Sequence, residues 1–197
     1  MFYNRVPFIG FFLILFALIA KIRFMKKNGI VINSRFRKNK RFYLYLLFGI
    51  IFLLWFFEIA KPAFFKTYSI LPEFASVKLI DSNLIKIIGS LLILNSLVLW
   101  IITLFHFKGS LRFGLDENNS GKLITTGVFT ISRNPFFLSI DIFFIGITLI
   151  IPNLFFIVFT MLAIVSIHFF ILKEEKFLRD VYGEDYLNYS KKVRRYF

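Results

Sequence analysis

Three clusters of polar residues stand out in a sequence that is otherwise strongly apolar. The first is Gly127-Val128-Phe129-Thr130-Ile131-Ser132-Arg133-Asn134-Pro135, directly ahead of an apolar run. Pro135 suits the first turn of a helix, where its missing N–H costs nothing. The free N–H groups of that turn, with Arg133 beside them, make a place for an anion such as a ligand carboxylate. An arginine at that position also works as an interfacial anchor on lipid phosphate. The second cluster is Glu174-Glu175, at the end of the last apolar run. A carboxylate there could bind an ammonium or ribose hydroxyls, or could stand as a solvated charge beside Lys173 and Lys176. The third is polarity inside the apolar runs themselves: His106, Asp141 and His168. His168 precedes Glu175 by seven residues, so the two share one helix face. Ionisable groups inside an apolar helix are functional candidates by default. A histidine there can equally be held by a neighbouring carbonyl.

The elements that position these groups must be membrane helices. The chain has 197 residues, is 58% hydrophobic and contains 30 phenylalanines. Its mean hydropathy is +0.74. A soluble domain of this length has too little interior to hide that much apolar surface. The absence of cysteine excludes disulfides, thiolate metal sites and cysteine nucleophiles, and two histidines argue against a zinc site. No metal is expected. The net charge of +14 could suggest nucleic acid, but the basic residues lie between apolar runs, which is the pattern of an oriented membrane protein.

A helix needs about 20 apolar residues to cross the hydrocarbon core. Five runs come close: Pro7–Phe24, Phe42–Ala60, Leu84–Phe107, Phe136–Ile151 and Leu154–Leu172. The sequence therefore predicts an all-α polytopic membrane protein of about five spans. The first run lacks a small-residue cleavage site and reads as a retained helix rather than a signal peptide. Pro152-Asn153 separates the last two runs and predicts a tight helical hairpin. Of the 25 lysines and arginines, 20 fall in segments 21–41, 106–135 and 173–197, which lie on one side of a five-span chain. That side is expected to be cytosolic, with the N-terminus outside. Residues 116–121, Asp-Glu-Asn-Asn-Ser-Gly, read as a turn. Beyond Leu172 the period changes. Leu178, Val181, Tyr182, Tyr186 and Tyr189 fit an amphipathic tail helix on the membrane surface, interrupted near Gly183. The whole is expected to be a single membrane domain, with 1–83 as scaffold and 84–197 as the working part. Its expected setting is the cytoplasmic membrane of a prokaryote.

In this order the clusters resemble the isoprenylcysteine carboxyl methyltransferase and phospholipid methyltransferase superfamily. The resemblance runs from Leu111-Arg112-Phe113-Gly114-Leu115-Asp116 through Lys122–Phe129 to Ser132-Arg133-Asn134-Pro135. It resumes at Glu174–Leu178, Tyr182–Tyr189 and Val193-Arg194-Arg195. It implies methyl transfer from S-adenosylmethionine to a membrane-embedded or apolar acceptor, with the donor held by the last two helices, the loop before them and the tail. Carried over by position, Lys122, Leu123, Ile124, Thr125, Gly127 and Phe129 would line that pocket. Asn134 and Pro135 would form its helix-start wall, and Glu174 would meet the polar end of the donor. Arg133, Glu175 and His168 join the set through their own chemistry. Arg133 and Glu174 are the candidate catalytic residues. Arg133 would orient an anionic group, and Glu174, Glu175 or His168 would take the proton if the acceptor is an amine. Phe129 stands where many members have tyrosine, and Asn134 replaces the histidine of the prenylcysteine branch.

The resemblance is physically coherent. The charged donor is made in the cytosol, where the charge count places all three clusters. The acceptor would enter sideways between helices, and methyl transfer asks chiefly for close approach and exclusion of water. Two other readings compete: an NADPH-dependent enzyme related to sterol reductases, and a non-enzymatic membrane assembly or transport component.

Overall fold

A computed structural model describes residues 2–28, 42–64, 70–107 and 123–197. Among the described residues six α-helices carry the architecture: α1 (Val6–Lys27), α2 (Phe42–Phe64), the short α3 (Glu73–Ser76), α4 (Asn83–His106), α5 (Pro135–Ile150) and α6 (Leu154–Lys192). One 3₁₀ turn, Tyr3–Arg5, precedes α1 and another, Gly127–Thr130, precedes α5. Helices α1, α2, α4 and α6 are long and apolar enough to cross a membrane, and α5 is a shorter apolar helix. The chain is a polytopic all-α membrane protein. Its outer surface suits lipid: Phe16 is 73% exposed and Phe105 75%, which water would penalise and hydrocarbon does not.

Helix α5 has 16 residues and is about 24 Å long. It lies antiparallel to α4, with Trp100 stacked on Phe136 at one end and Gly89 against Gly146 at the other. The two glycines permit that approach. A Cβ on Gly89 would stand 2.7 Å from the Gly146 carbonyl oxygen, so any side chain would push the helices apart. The main core joins α2, α4, α5 and α6 through Trp55, Ile59, Ile93, Phe143, Ile147 and Phe156. Val6, Phe11 and Ile14 of α1 pack against it, so the first two spans share one core with the hairpin.

Pro152-Asn153 turns the chain between α5 and α6. The Asn153 side chain caps α6 by accepting from the Phe156 N–H at 2.9 Å. The Pro152 carbonyl accepts from the Leu79 N–H at 2.8 Å, which ties this turn to the segment before α4.

The tail departs from expectation in one respect. It does not begin as a separate helix after the last span. The span helix runs straight on through 173–182, and Gly183, at φ +50° and ψ −124°, interrupts it as expected before a second helical segment reaches Lys192. The straight part, 154–182, is about 43 Å long, well beyond a 30 Å hydrocarbon core. Glu174 and Glu175 therefore ride on a rigid rod. Beyond Lys192 the chain leaves the helix, with Val193 extended, and residues 194–196 fold back as a strap onto the loop ahead of α5.

Candidate functional site

The strap and the loop are joined through main chain and side chain. The Arg133 N–H donates to the Arg194 carbonyl at 3.0 Å. The Ser132 hydroxyl and the Asn134 amide both donate to the Arg195 carbonyl, at 3.1 and 3.3 Å. Asn134 is the N-cap residue of α5, yet its side chain makes no capping bond. It reaches instead to α6, where its amide donates to Glu175 Oε1 at 3.2 Å.

Glu175 is the hub of this end of the bundle. It is 6% exposed. The Arg195 guanidinium meets it as a fork, Nε to Oε1 at 3.1 Å and Nη2 to Oε2 at 2.8 Å. Arg133 Nη2 lies 3.1 Å from Oε1, and Arg133 Nη1 donates to the Ser190 carbonyl at 3.2 Å. A buried carboxylate is tolerable only with such partners. The hydrogen bond to Glu175 raises the Arg195 guanidinium above its already high ordinary pKa, so Arg195 stays charged. The anion that meets Arg133 at the start of α5 is thus the chain's own Glu175. Glu174, half-buried, is its neighbour on α6, and successive helix residues face about 100° apart.

Gly127 shapes the loop above. Its φ is +64°, and a Cβ there would collide with His106 Nε2. Both facts require glycine. His106 ends α4, with Nδ1 held 2.8 Å from the Ile102 carbonyl, so its role here is to pack against the turn. Phe129 is buried with Tyr186 and Tyr189, and Leu123, Ile124 and Val128 pack around them. The Tyr189 hydroxyl donates to the Phe129 carbonyl at 2.6 Å. Beside this aromatic cluster lies an open groove of about 880 Å³, formed by the loop (Leu123, Thr125, Thr130) and the tail helix (Tyr182, Asp185, Asn188, Tyr189, Lys192). That volume is in the range of small-molecule sites.

The expected site residues therefore divide into neighbouring groups. Leu123 and Thr125 line the groove, while Ile124, Gly127 and Phe129 build its floor and the turn beside it. Arg133, Asn134 and Glu175 form the ion cluster, with Pro135 buried at the first turn of α5. His168 lies deeper and meets Tyr196, its Nδ1 2.7 Å from the phenol oxygen. Lys122 and residues 111–121 lie outside the described residues. Sequence reasoning quoted Arg195 within the resemblance but assigned neither it nor Tyr196 to the site. Their partners are 20 and 28 residues away, and no local pattern announces them.

With this geometry in hand, one family comparison is informative. The phospholipid methyltransferase family matches residues 84–185, from the start of α4 through most of α6. Neither a curated protein nor a solved structure matches the chain. The matched region is just over half of the sequence, and it contains the loop, the hairpin and Glu175. The chain belongs to the phospholipid methyltransferase family, and is in that broad sense a membrane methyltransferase.

Proposed function

We propose that this member of the phospholipid methyltransferase family transfers a methyl group from cytosolic S-adenosylmethionine to a lipid or other apolar acceptor that arrives from within the bilayer. The observation that carries this reading is convergence. The loop 123–135, the polar end of α6 and the tail meet at one end of the bundle, beside a groove of about 880 Å³. The charge asymmetry of 20 basic residues to 5 supports a cytosolic setting for that end.

The groove fits the donor chemically. Asp185 and Lys192 supply opposite charges for the ammonium and carboxylate of an amino acid, and Tyr182 and Tyr189 offer aromatic surface to a purine. Glu174, on the same helix, would meet the donor's polar end. When bound, the donor supplies an activated methyl on a sulfonium centre. The chain's own residues bind, orient and exclude water. Arg133 and Glu175 lock the loop to α6, so the helix-start wall made by Asn134 and Pro135 cannot drift. Preorganisation of this kind matters because misplacement by about 1 Å can cost a hundredfold in rate.

The test is transfer itself. Membranes containing the protein, given donor labelled in the methyl group, should move label into the organic-extractable fraction, and membranes lacking it should not. Saturable binding of NADPH with no label transferred would overturn the proposal.

A further inference from the structure

The end of the bundle away from Glu175 is closed by a segment that belongs to no span. The α5–α6 turn lies there, and Ile150, Ile151, Pro152 and Asn153 are all buried. A turn between two helices ordinarily lies at the surface. Here residues 70–82, between α2 and α4, lie against it. The Leu79 N–H donates to the Pro152 carbonyl at 2.8 Å, and Lys78 pairs with Asn153 as an isolated antiparallel bridge. The short helix α3 also packs on α6. These contacts fix the segment, so it cannot turn over to hide what its outer side carries.

That outer side is apolar. Ile70, Phe74, Val77, Leu79 and Ile80 are 50–73% exposed, while Ala75 and Ser76 of α3 are half-buried behind them. A loop meant for water favours small and polar residues, and large apolar side chains gathered on one exposed face mark a contact. Lipid-facing positions flank the segment. Phe64 at the end of α2 is 64% exposed, and Leu84 in the first turn of α4 is 66% exposed. Charge marks the water level. Asp81 takes the ammonium of Lys86 from the first turn of α4, so that lysine snorkels to the end of its span, directly beside Ile80. The hairpin has no such marker of its own. Between Asp141 and Lys173 the chain has no lysine, arginine, aspartate or glutamate.

We propose that residues 70–80 form a membrane-inserting cap. The side chains of Ile70, Phe74, Val77, Leu79 and Ile80 enter the interfacial acyl layer of the leaflet opposite the site. The backbone behind them seals the α5–α6 turn, and the Asp81–Lys86 pair gives the uncharged hairpin its headgroup anchor. The partner is the lipid surface, held through its acyl chains rather than through a headgroup. A protein partner fits less well, because five side chains are few against the roughly 20–30 residues a side of a stable interface. An interfacial segment needs only a shallow apolar face with charge beside it. No residue of the cap belongs to the site, so the inference is independent of the methyl-transfer reading.

The chain contains no cysteine, so a spin label on one introduced thiol reports a single position without background. Phe74→Cys and Leu79→Cys are labelled in the full-length protein, with Phe16→Cys in the middle of α1 as the deep reference. All three side chains are exposed, and Leu79→Cys carries the test alone if Phe74→Cys does not fold. In vesicles of phosphatidylcholine and phosphatidylglycerol, collision with oxygen, which enters lipid, is compared with collision with a water-soluble nickel chelate. Both cap labels should favour oxygen and read about 5–10 Å below the headgroups, shallower than Phe16→Cys. A label at either cap position that favours the nickel chelate overturns the proposal, because that side chain then lies in water. Exclusion of both reagents from the cap labels also overturns it, because a protein partner then covers the face.

Discussion

Arg195, third from the C-terminus, clasps Glu175 of α6 in a two-bond fork, at 3.1 and 2.8 Å. The last residues of the chain are thereby part of the site. The fork fixes the strap, the strap's carbonyls hold Ser132, Arg133 and Asn134, and these residues open α5.

Removing the charge at the hub tests this coupling. Glu175→Gln leaves two guanidinium groups facing a neutral amide in a buried site. The expected loss is about 3–5 kcal/mol of stability, read as a lowered thermal midpoint in detergent. Amide exchange should rise in residues 193–197 and in the loop 132–134, and remain unchanged at the Pro152-Asn153 turn.

The 3₁₀ turn depends on Gly127. Gly127→Ala incurs about 1–2 kcal/mol for the left-handed backbone and a steric conflict with His106. Adding His106→Ala should recover the steric part and leave the backbone part. A double-mutant cycle on thermal stability measures the difference, and full additivity would show that the two residues do not touch.

Close packing of α4 and α5 makes a third prediction. Gly89→Ala places a methyl against the Gly146 carbonyl and should destabilise the bundle by about 1–3 kcal/mol. Gly49→Ala is the control. Nothing lies within 4 Å of a Cβ there, and alanine is the better helix former by about 1 kcal/mol, so that variant should be neutral or slightly more stable in a denaturation assay.

The donor groove predicts a charge-specific loss. Asp185→Asn and Lys192→Gln should each weaken donor-analogue binding about tenfold or more, the usual size of a charge-assisted contact, with thermal midpoints near that of the parent. Glu174→Gln should weaken it to a similar degree if that carboxylate reaches the donor's polar end. Equal affinity in all three would move the donor away from the groove.

The sequence made the helices legible because apolar runs of 16 or more residues admit few other readings, and Pro152-Asn153 marks the hairpin turn on its own. The charged residues were harder. Glu174 and Glu175 are adjacent, and which of them faces α5 depends on helix phase. The seven-residue spacing from His168 held that information, since it placed Glu175 and not Glu174 on the shared face. Asp141 and Asn134 have the same spacing on α5, so the facing polar positions of α5 and α6 are legible in the sequence. Their closure by the strap was not. Arg195 and Tyr196 find partners on α6, whereas in the sequence Arg195 is only part of the quoted resemblance and Tyr196 carries no signal. The first stretch of the tail, 173–182, continues the span helix, which the change of period at Leu172 concealed. Gly183 marks the break that the sequence announces, and Glu184 and Asp185 just after it suit the start of the helical segment that follows.

The most direct test of the central claim is titration of S-adenosylhomocysteine into folded, detergent-solubilised protein by calorimetry. The account predicts saturable binding at one site per chain, weakened by Asp185→Asn. Absence of binding to protein whose thermal unfolding is cooperative would contradict it.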